Sequence, residues 1–247
     1  MRKDEGVSLT ELLISLFLSS LLMSLLMHHY LNSKQQYRFF QTTLEQRFDE
    51  QLITELIQGS IRRAGFTPCR GINKLISRDS RNEARNLVAV DANAGKYHAL
   101  KLNRMSEKYF IVSNVLSPAR LLLVGEALIE SKKPVLIADC FHAEVHVIKS
   151  IQRTYQGTVI TLKKPLVFDY YSSVYIGEWV EEQYFIKQNQ QGLAALFYET
   201  EHQEELSKRF NQLSTRLIRG RGSILLQVTL QLLKGRALTI ETNIRTP

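Results

Sequence analysis

The chain begins with the stretch MRKDEGVSLTELLISLFLSSLLMSLLMHHYLNS, which covers residues 1 to 33 and decides the fold. A polar head of six residues comes first, and no aspartate, glutamate, lysine or arginine occurs from Leu12 to Ser33. A membrane-spanning helix needs about 20 predominantly apolar residues, so this run is long enough to cross a bilayer. Glu11 stands at its start, and an acid at the edge of such a segment indicates a functional role with a partner.

The position of Gly6 distinguishes this segment from a secretory signal peptide. In such a peptide the small residues of the cleavage site follow the apolar core, whereas Gly6 precedes it. The order G-V-S-L-T-E-L-L-I, which runs from Gly6 to Ile14, resembles the class III leader of type IV prepilins and of type II secretion pseudopilins. The alternative is a plain signal anchor, which keeps its first residues.

The resemblance implies a specific processing of the amino terminus. Prepilin peptidase would cleave after Gly6 and remove residues 1–6, and the new terminus on Val7 would be methylated. Residues 7–33 would remain as a helix of the membrane and the filament core. Glu11 would pair with the amino terminus of a neighbouring subunit during assembly, since an amine cation and a carboxylate that meet in a membrane reduce each other's desolvation penalty.

The following residues, 34–66, are predicted to continue the helix as an amphipathic segment. Apolar side chains recur at the spacing of one helix face. They are Phe40, Leu44, Phe48, Ile53, Leu52, Leu56, Ile57 and Ile61. Gly65 followed by Pro68 is a stop signal. We therefore predict a helix from Val7 to about Ala64, whose second half packs on a globular domain.

Residues 67–247 are predicted to form one β-rich head domain, which makes the expected fold class α+β. Short runs of strand-forming residues recur along this part of the chain. They are Leu87–Val90, Tyr109–Val112, Arg120–Val124, Val135–Ala138, Ala143–Ile148, Thr158–Leu162, Ser173–Ile176, Val180–Lys187, Leu193–Tyr198, Ile224–Leu233 and Ala237–Ile244. Ser77–Asn86 is predicted to be an exposed loop, and His202–Leu213 to be helical or irregular.

The composition makes the chain basic, with 32 Lys and Arg against 24 Asp and Glu and a formal net charge of +8. A basic surface attracts DNA and anionic lipid, although it also serves solubility alone. The candidate contacts to nucleic acid or to a partner subunit, near the C-terminal hairpin, are Arg216, Arg219, Arg221 and Arg236. A solvated face is the alternative for these four residues.

The two cysteines are Cys69 and Cys140. An even count in an exported protein indicates a disulfide, and two unrelated buried thiols are the alternative. Asp139, His142 and His146 lie within eight residues on a predicted strand, where they are badly placed for tetrahedral metal coordination. The sequence contains no H-E-x-x-H, G-x-S-x-G or glycine-rich phosphate motif, so we expect no metal, no cofactor and no catalysis.

Segments of the head domain extend the resemblance to minor pilins of the PilW type and to the related J-type pseudopilins. They are Ile61–Phe66 with Cys69, Ala138–Ala143, Glu182–Lys187 and Gly192–Tyr198. The resemblance implies a pilin-like fold, in which the long helix packs on an antiparallel β-rich domain. It also implies that a Cys69–Cys140 disulfide ties the helix end to that domain.

The function implied by the resemblance is structural. A minor pilin is held in the inner membrane by one helix, with its C-terminal domain in the periplasm, and helps prime the assembly of a type IV pilus used for twitching motility, at whose tip it then lies. The expected partners are other minor pilins, the major pilin and prepilin peptidase. The alternatives are a J-type pseudopilin of type II secretion, a DNA-binding tip pilin for uptake and a membrane-anchored periplasmic enzyme.

Overall fold

The computed structural model describes residues 9–81, 85–94, 99–125, 128–170, 173–219, 224–233 and 235–244, with the backbone alone at positions 93, 94 and 219. One long helix is followed by β-strands. By its internal contacts the chain divides into two units, one that ends at Leu52 and one that begins at Ile53.

Helix α1 spans Leu9–Arg63. The predicted start at Val7 lies outside the described residues, and the predicted end near Ala64 is confirmed. The helix stops before Gly65, whose φ of 72° is the left-handed conformation that commonly follows a helix. Glycine is also required by space, because a Cβ built on Gly65 lies 2.7 Å from the Ala89 Cβ.

Thirteen β-strands follow in the described residues. They are β1 (Ile76–Asp79), β2 (Val90–Ala94), β3 (Ala99–Ser117), β4 (Arg120–Leu123), β5 (Pro134–Ala138), β6 (His142–Thr154), β7 (Gly157–Leu162), β8 (Val174–Gln188), β9 (Ala194–Glu199), β10 (Gln203–Ser207), β11 (Phe210–Arg219), β12 (Ile224–Leu232) and β13 (Ala237–Ile244). The α+β class is confirmed as one N-terminal helix with a large, mainly antiparallel β-domain.

Six of these strands close into a ring. Antiparallel pairing runs from β3 through β4, β7, β6 and β5 to β8, and β8 returns to β3. The ring closes because β3 is long enough to pair with β4 through residues 112–117 and with β8 through residues 100–112. Sequence periodicity does not predict this closure, since it reports which face of a strand is buried and not which strand lies beside it.

The interior of the ring is a packed apolar core. Alternate residues of a strand point to the same face, so each of the six strands contributes to it. The buried members are Val112, Leu121, Leu123, Val135, Ile137, Ile148, Ile160, Leu162, Val174 and Ile176. The ring is therefore a small barrel filled by its own side chains.

A second sheet, in the order β11-β12-β13, is antiparallel and separate from the first. The end of α1 shares one core with this sheet, with β9 and with the first part of β3 and the last part of β8. The buried members are Ile53, Ile57, Ile61, Ala64, Leu100, Leu102, Tyr184, Leu196, Phe210, Leu213, Leu226, Val228, Leu230, Leu232, Ile240 and Ile244. The C-terminal hairpin that the sequence predicts is confirmed and supplies much of this core.

The predicted exposed loop at Ser77–Asn86 is wrong at its beginning, which forms β1. This strand pairs in parallel with β6, and it buries Ser77 and Asp79. The polar composition of the segment is misleading because some of its buried groups find partners: the Arg81 guanidinium lies 2.9 Å from the Asp79 carboxylate. Residues 82–84 lie outside the described part of the chain.

The prediction for His202–Leu213 is also wrong, because this segment forms β10 and the beginning of β11. Strand β10 lies at the edge of the large sheet, and most of its side chains are exposed, so its polar residues reach water. The predicted runs Ser173–Ile176 and Val180–Lys187 are parts of one strand, β8. The predicted strand at Leu87–Val90 begins at Val90 instead.

Candidate functional site

The N-terminal helix carries a continuous apolar surface from Leu9 to Leu31. The exposed large apolar side chains of this part are Leu9, Leu12, Leu13, Ile14, Leu16, Phe17, Leu18, Leu21, Leu22, Met23, Leu25, Leu26, Met27, Tyr30 and Leu31. They lie on all sides of the helix, a distribution typical of a membrane span or of a helix buried among others. Soluble monomers rarely expose apolar patches above roughly a few hundred Å², so this surface requires lipid or protein around it.

The helix is long and apolar enough to cross a membrane. Its hydroxyl groups suit that environment, because those of Ser15, Ser19 and Ser20 donate to backbone carbonyls within the helix at 2.9, 2.7 and 2.8 Å. No water is present in hydrocarbon to accept these hydrogen bonds. The sequence prediction of an apolar helix able to span a membrane is confirmed at this level.

Glu11 lies in the first turn of α1 and is exposed. The positive end of the helix dipole favours a carboxylate at this place. Gly6 and Val7 lie outside the described residues. The cleavage after Gly6, the methylation of Val7 and the pairing of Glu11 with a neighbouring amine therefore stay predictions.

The apolar stripe farther along α1 is partly exposed and partly buried. Ile53, Ile57 and Ile61 are buried in the core of the β-domain. The exposed large apolar residues of the preceding part are Tyr37, Phe39, Phe40, Leu44, Phe48 and Leu52. These residues extend the exposed apolar surface of α1 beyond the membrane-length segment, and aromatic side chains such as these are enriched at protein interfaces.

Cys69 and Cys140 form a disulfide, as expected. Cys69 follows the helix end, and Cys140 lies in the connection between β5 and β6, so the bond joins the chain after α1 to the barrel. The Arg70 guanidinium lies 5.7 Å from the centre of the Phe141 ring, which adds a cation–π contact between the same two segments.

Of the four candidate basic residues, the structure describes the side chains of Arg216 and Arg236, and these two lie at different positions along the C-terminal sheet. Arg216 is exposed on β11 and pairs in register with Gln227, whereas the Arg236 carbonyl accepts from the Leu232 amide at the turn of the next hairpin. Along β12, Gln227 and Leu232 are five residues apart, which corresponds to about 17 Å in a strand. The Arg219 side chain and Arg221 lie outside what the structure describes.

Of the three residues considered as metal ligands, Asp139 and His142 contact each other, with 3.6 Å between Asp139 Oδ2 and His142 Nδ1, and His146 does not join them. The Asp139 carboxylate accepts the amides of Phe141 and His142 at 2.7 and 2.6 Å. The His142 ring stacks on Phe168 with 4.8 Å between centroids, while His146 contacts a different carboxylate. Among the described residues, no three His, Cys, Asp or Glu side chains are grouped so as to hold a metal ion.

A buried charged network around Glu144 was not predicted. The Glu144 side chain is 0 % exposed, and its Oε2 lies 2.9 Å from His146 Nε2. The amides of Val167 and Phe168 donate to the same carboxylate, and so does the Tyr170 hydroxyl. Burial alone would raise the pKa of Glu144, but the hydrogen bonds from His146 and the two amides outweigh burial and lower it. The sequence signal for this network is that Glu144 and His146 alternate with apolar residues in a predicted strand.

A second unpredicted network joins β1, β3 and β8. The Glu181 carboxylate lies 3.0 Å from the Arg81 guanidinium and 3.2 Å from the Lys101 ammonium, and the Trp179 indole N–H donates to it. Burial acts to raise the pKa of Glu181, but the contacts with Arg81 and Lys101 lower it overall. These ion pairs hold the segment after β1 against the barrel strands.

No family model, curated protein or solved structure matches this chain. Its class therefore rests on its own residues. They define an α+β protein with one N-terminal helix long and apolar enough to cross a membrane and with a disulfide-bonded, mainly antiparallel β-domain. This arrangement is consistent with a pilin-like fold.

Proposed function

We propose that this protein is a minor pilin, a membrane-held subunit that helps prime the assembly of a type IV pilus and then lies at the tip of the fibre. The observation that carries the proposal is the exposed apolar surface of α1, with Glu11 in its first turn. A helix with such a surface is stable in a bilayer and equally stable in a bundle of similar helices. The subunit therefore passes from membrane to fibre without exposing this surface to water.

Glu11 selects the register of that bundle in the proposed function. After cleavage behind Gly6, the Val7 amine is a cation close to the apolar surface. A carboxylate from a neighbouring subunit that meets this amine removes the unfavourable burial of both charges. The position of Glu11 in the first helical turn supports this role, since a carboxylate near the start of the helix lies at the depth of a neighbour's terminus.

The head domain supports a minor rather than a repeated subunit. It comprises the barrel, the second sheet and the extensions of the large sheet. A head of this size would crowd a lattice in which every subunit is identical, whereas the tip of a fibre leaves it free. The same helix and head would also suit a pseudopilin of type II secretion. Deletion of the protein distinguishes the two, because it would stop either pilus assembly or type II secretion.

The experiment that tests the proposal is the mass of the N-terminal peptide of the protein purified from its native membranes. We expect a peptide that starts at Val7 and carries one methyl group. A Gly6→Leu variant, which places a bulky side chain at the cleavage position, serves as the control and is expected to retain Met1. A wild-type peptide that starts at Met1 would overturn the proposal and leave the helix as a membrane tether.

A further inference from the structure

The end of the membrane-length segment of α1 carries two cations without acidic neighbours. Between Glu11 and Glu45 the sequence contains no aspartate or glutamate, and its only lysine and arginine are Lys34 and Arg38. Ion pairs along a helix join side chains three or four residues apart, so no carboxylate of α1 is in reach of either cation. Both side chains are exposed, and neither forms an ion pair with another described residue.

Two tyrosines share a helix face with these cations. Tyr30 precedes Lys34 by four residues and Tyr37 follows it by three, and such spacings place side chains on one face. The Lys34 ammonium lies 5.9 Å from the centre of the Tyr30 ring, which is a cation–π distance. Tyr30 and Tyr37 are 59 % and 69 % exposed. Tyrosine is enriched where a membrane meets water, because its ring is apolar and its hydroxyl is polar.

The length of the uncharged run places this helix face at the surface of a bilayer. Residues 12–33 contain no acid, lysine or arginine and extend over about 33 Å of helix, close to the roughly 30 Å of a hydrocarbon core. With Glu11 at one boundary of the core, Lys34 lies at the other. Side chains of a helix lean toward its N-terminus, so those of Lys34, Tyr37 and Arg38 reach back toward the lipid headgroups.

We propose that the helix face formed by Tyr30, Lys34, Tyr37 and Arg38 (the interfacial face) binds the headgroups of anionic phospholipids. The site rests on the proposed function, because only a subunit held in the membrane meets lipid. It goes beyond that function by naming the class of lipid that surrounds the subunit before assembly.

Charge complementarity selects an anionic lipid over a zwitterionic one. The two cations of the interfacial face have no carboxylate beside them, so the phosphate of a headgroup is their acceptor. A zwitterionic headgroup also carries a cationic group, which Lys34 and Arg38 repel, whereas an anionic headgroup has net negative charge. The depth of the interfacial face and its two tyrosines favour lipid over an acidic protein as the source of the negative charge.

The test is native mass spectrometry of the full chain in non-ionic detergent, titrated with phosphatidylglycerol or with phosphatidylcholine of the same acyl chains. The dissociation constant of the first bound lipid is compared between the two. We expect phosphatidylglycerol to bind about tenfold more tightly at low ionic strength, and salt to reduce the difference. Lys34→Gln and Arg38→Gln are each expected to weaken phosphatidylglycerol binding about fivefold and to leave phosphatidylcholine binding nearly unchanged.

Two further variants separate the interfacial face from the general positive charge of the chain. Arg47→Gln removes a cation that lies about 20 Å farther along α1 than Lys34, and it is expected to leave both dissociation constants unchanged. Lys34→Arg keeps the charge and is expected to keep the preference. Equal losses in Arg47→Gln and Lys34→Gln would overturn the proposal. A wild-type protein that binds both lipids equally would also overturn it and would assign the two cations to an acidic partner protein instead.

Membrane insertion is measured separately, so that failure of the lipid preference and failure of the proposed function are distinguishable. The full chain reconstituted into vesicles of phosphatidylcholine alone is expected to resist extraction with alkaline carbonate, because the apolar span holds it there whatever the lipid charge. Extraction of the wild-type protein would contradict the membrane-held state and overturn both proposals. Retention in these vesicles, combined with equal binding of the two lipids in detergent, would overturn the lipid preference alone.

Discussion

The side-chain oxygens of Ser60 and Tyr184 lie 2.9 Å apart in the interior of the β-domain. Ser60 belongs to the last turns of α1 and Tyr184 to β8, and both are buried. Burial raises the pKa of Tyr184, so the phenol keeps its proton and is available as a donor. The bond joins the helix end to the strand that closes the barrel. It therefore fixes the rotation of the helix end on the sheet in a way that apolar contacts alone do not.

Removal of either hydroxyl is expected to destabilise the β-domain. Tyr184→Phe and Ser60→Ala each leave the other oxygen buried without this partner, so each is expected to lower the free energy of unfolding by about 1–3 kcal/mol. The loss in the double variant is expected to be smaller than the sum of the two. Urea unfolding, followed by the fluorescence of the buried Trp179, measures the free energy of unfolding of each variant. Tyr155→Phe is the control, because the Tyr155 side chain is 96 % exposed.

Local signals predict part of this fold, and pairing between distant segments accounts for the rest. The strands that correspond to β4, β5, β7, β9, β12 and β13 are predicted within one residue at each end. The long helix is predicted because Ile53, Ile57 and Ile61 have helical spacing. The closure of the barrel has no such signal, because it depends on β3 and β8, whose paired residues are far apart in the chain.

The same distinction applies to the sites. The spacing of Glu144 and His146 places both side chains on one face of β6, which the sequence already shows. The partners of Glu144 include the amides of Val167 and Phe168. Every residue except proline has such an amide, so the sequence does not reveal which ones donate. The Cys69–Cys140 pairing was predictable because the chain has two cysteines, which permit a single intramolecular pairing.

Substitution by alanine at two glycines near the helix end is expected to change the free energy of unfolding in opposite directions. Gly65 has φ of +72°, and an added Cβ would lie 2.7 Å from Ala89, so Gly65→Ala is expected to destabilise the domain by more than about 1 kcal/mol. Gly59 lies inside α1, and a Cβ there meets nothing within 4 Å. Gly59→Ala is therefore expected to stabilise it by about 0.5–1 kcal/mol. Changes of the same sign in both variants, measured by urea unfolding, would contradict this account.

Reduction of the disulfide is expected to weaken the β-domain without abolishing its core. The bond closes a loop with a sequence separation of 71 residues, and in the chain-entropy model such a loop contributes about 4 kcal/mol. The paired variant Cys69→Ser/Cys140→Ser is expected to unfold at correspondingly lower urea concentration. Reducing agent should produce the same shift in the wild type and none in the variant; a further shift in the variant would show that reduction acts elsewhere.

Acid is expected to destabilise the domain through its buried carboxylates. The hydrogen bonds that lower the pKa of Glu144 stabilise the fold above its unfolded value of about 4.3, and this contribution is lost as pH falls through the folded value. Glu144→Gln is expected to lower the free energy of unfolding by about 1–3 kcal/mol at pH 7. The difference between wild type and variant should narrow below about pH 4. Exposed Glu107→Gln is the control, and a gap that stays constant with pH would contradict the role of the charge.

Glu11→Ala is expected to separate membrane insertion from assembly. The apolar surface of α1 is unchanged in this variant, so the protein should still be recovered in the membrane fraction. A neighbouring Val7 amine would then be left unpaired in an apolar bundle, at a cost of at least about 2.5 kcal/mol, which reduces incorporation into fibres more than tenfold. Quantification of the protein in sheared fibres and in membranes measures both steps, with Glu45→Ala as the control for loss of an exposed acid on the same helix. Fibres that contain the Glu11→Ala protein at the wild-type level would show that the charge pair does not select the register, and assembly would then rest on the apolar surface alone.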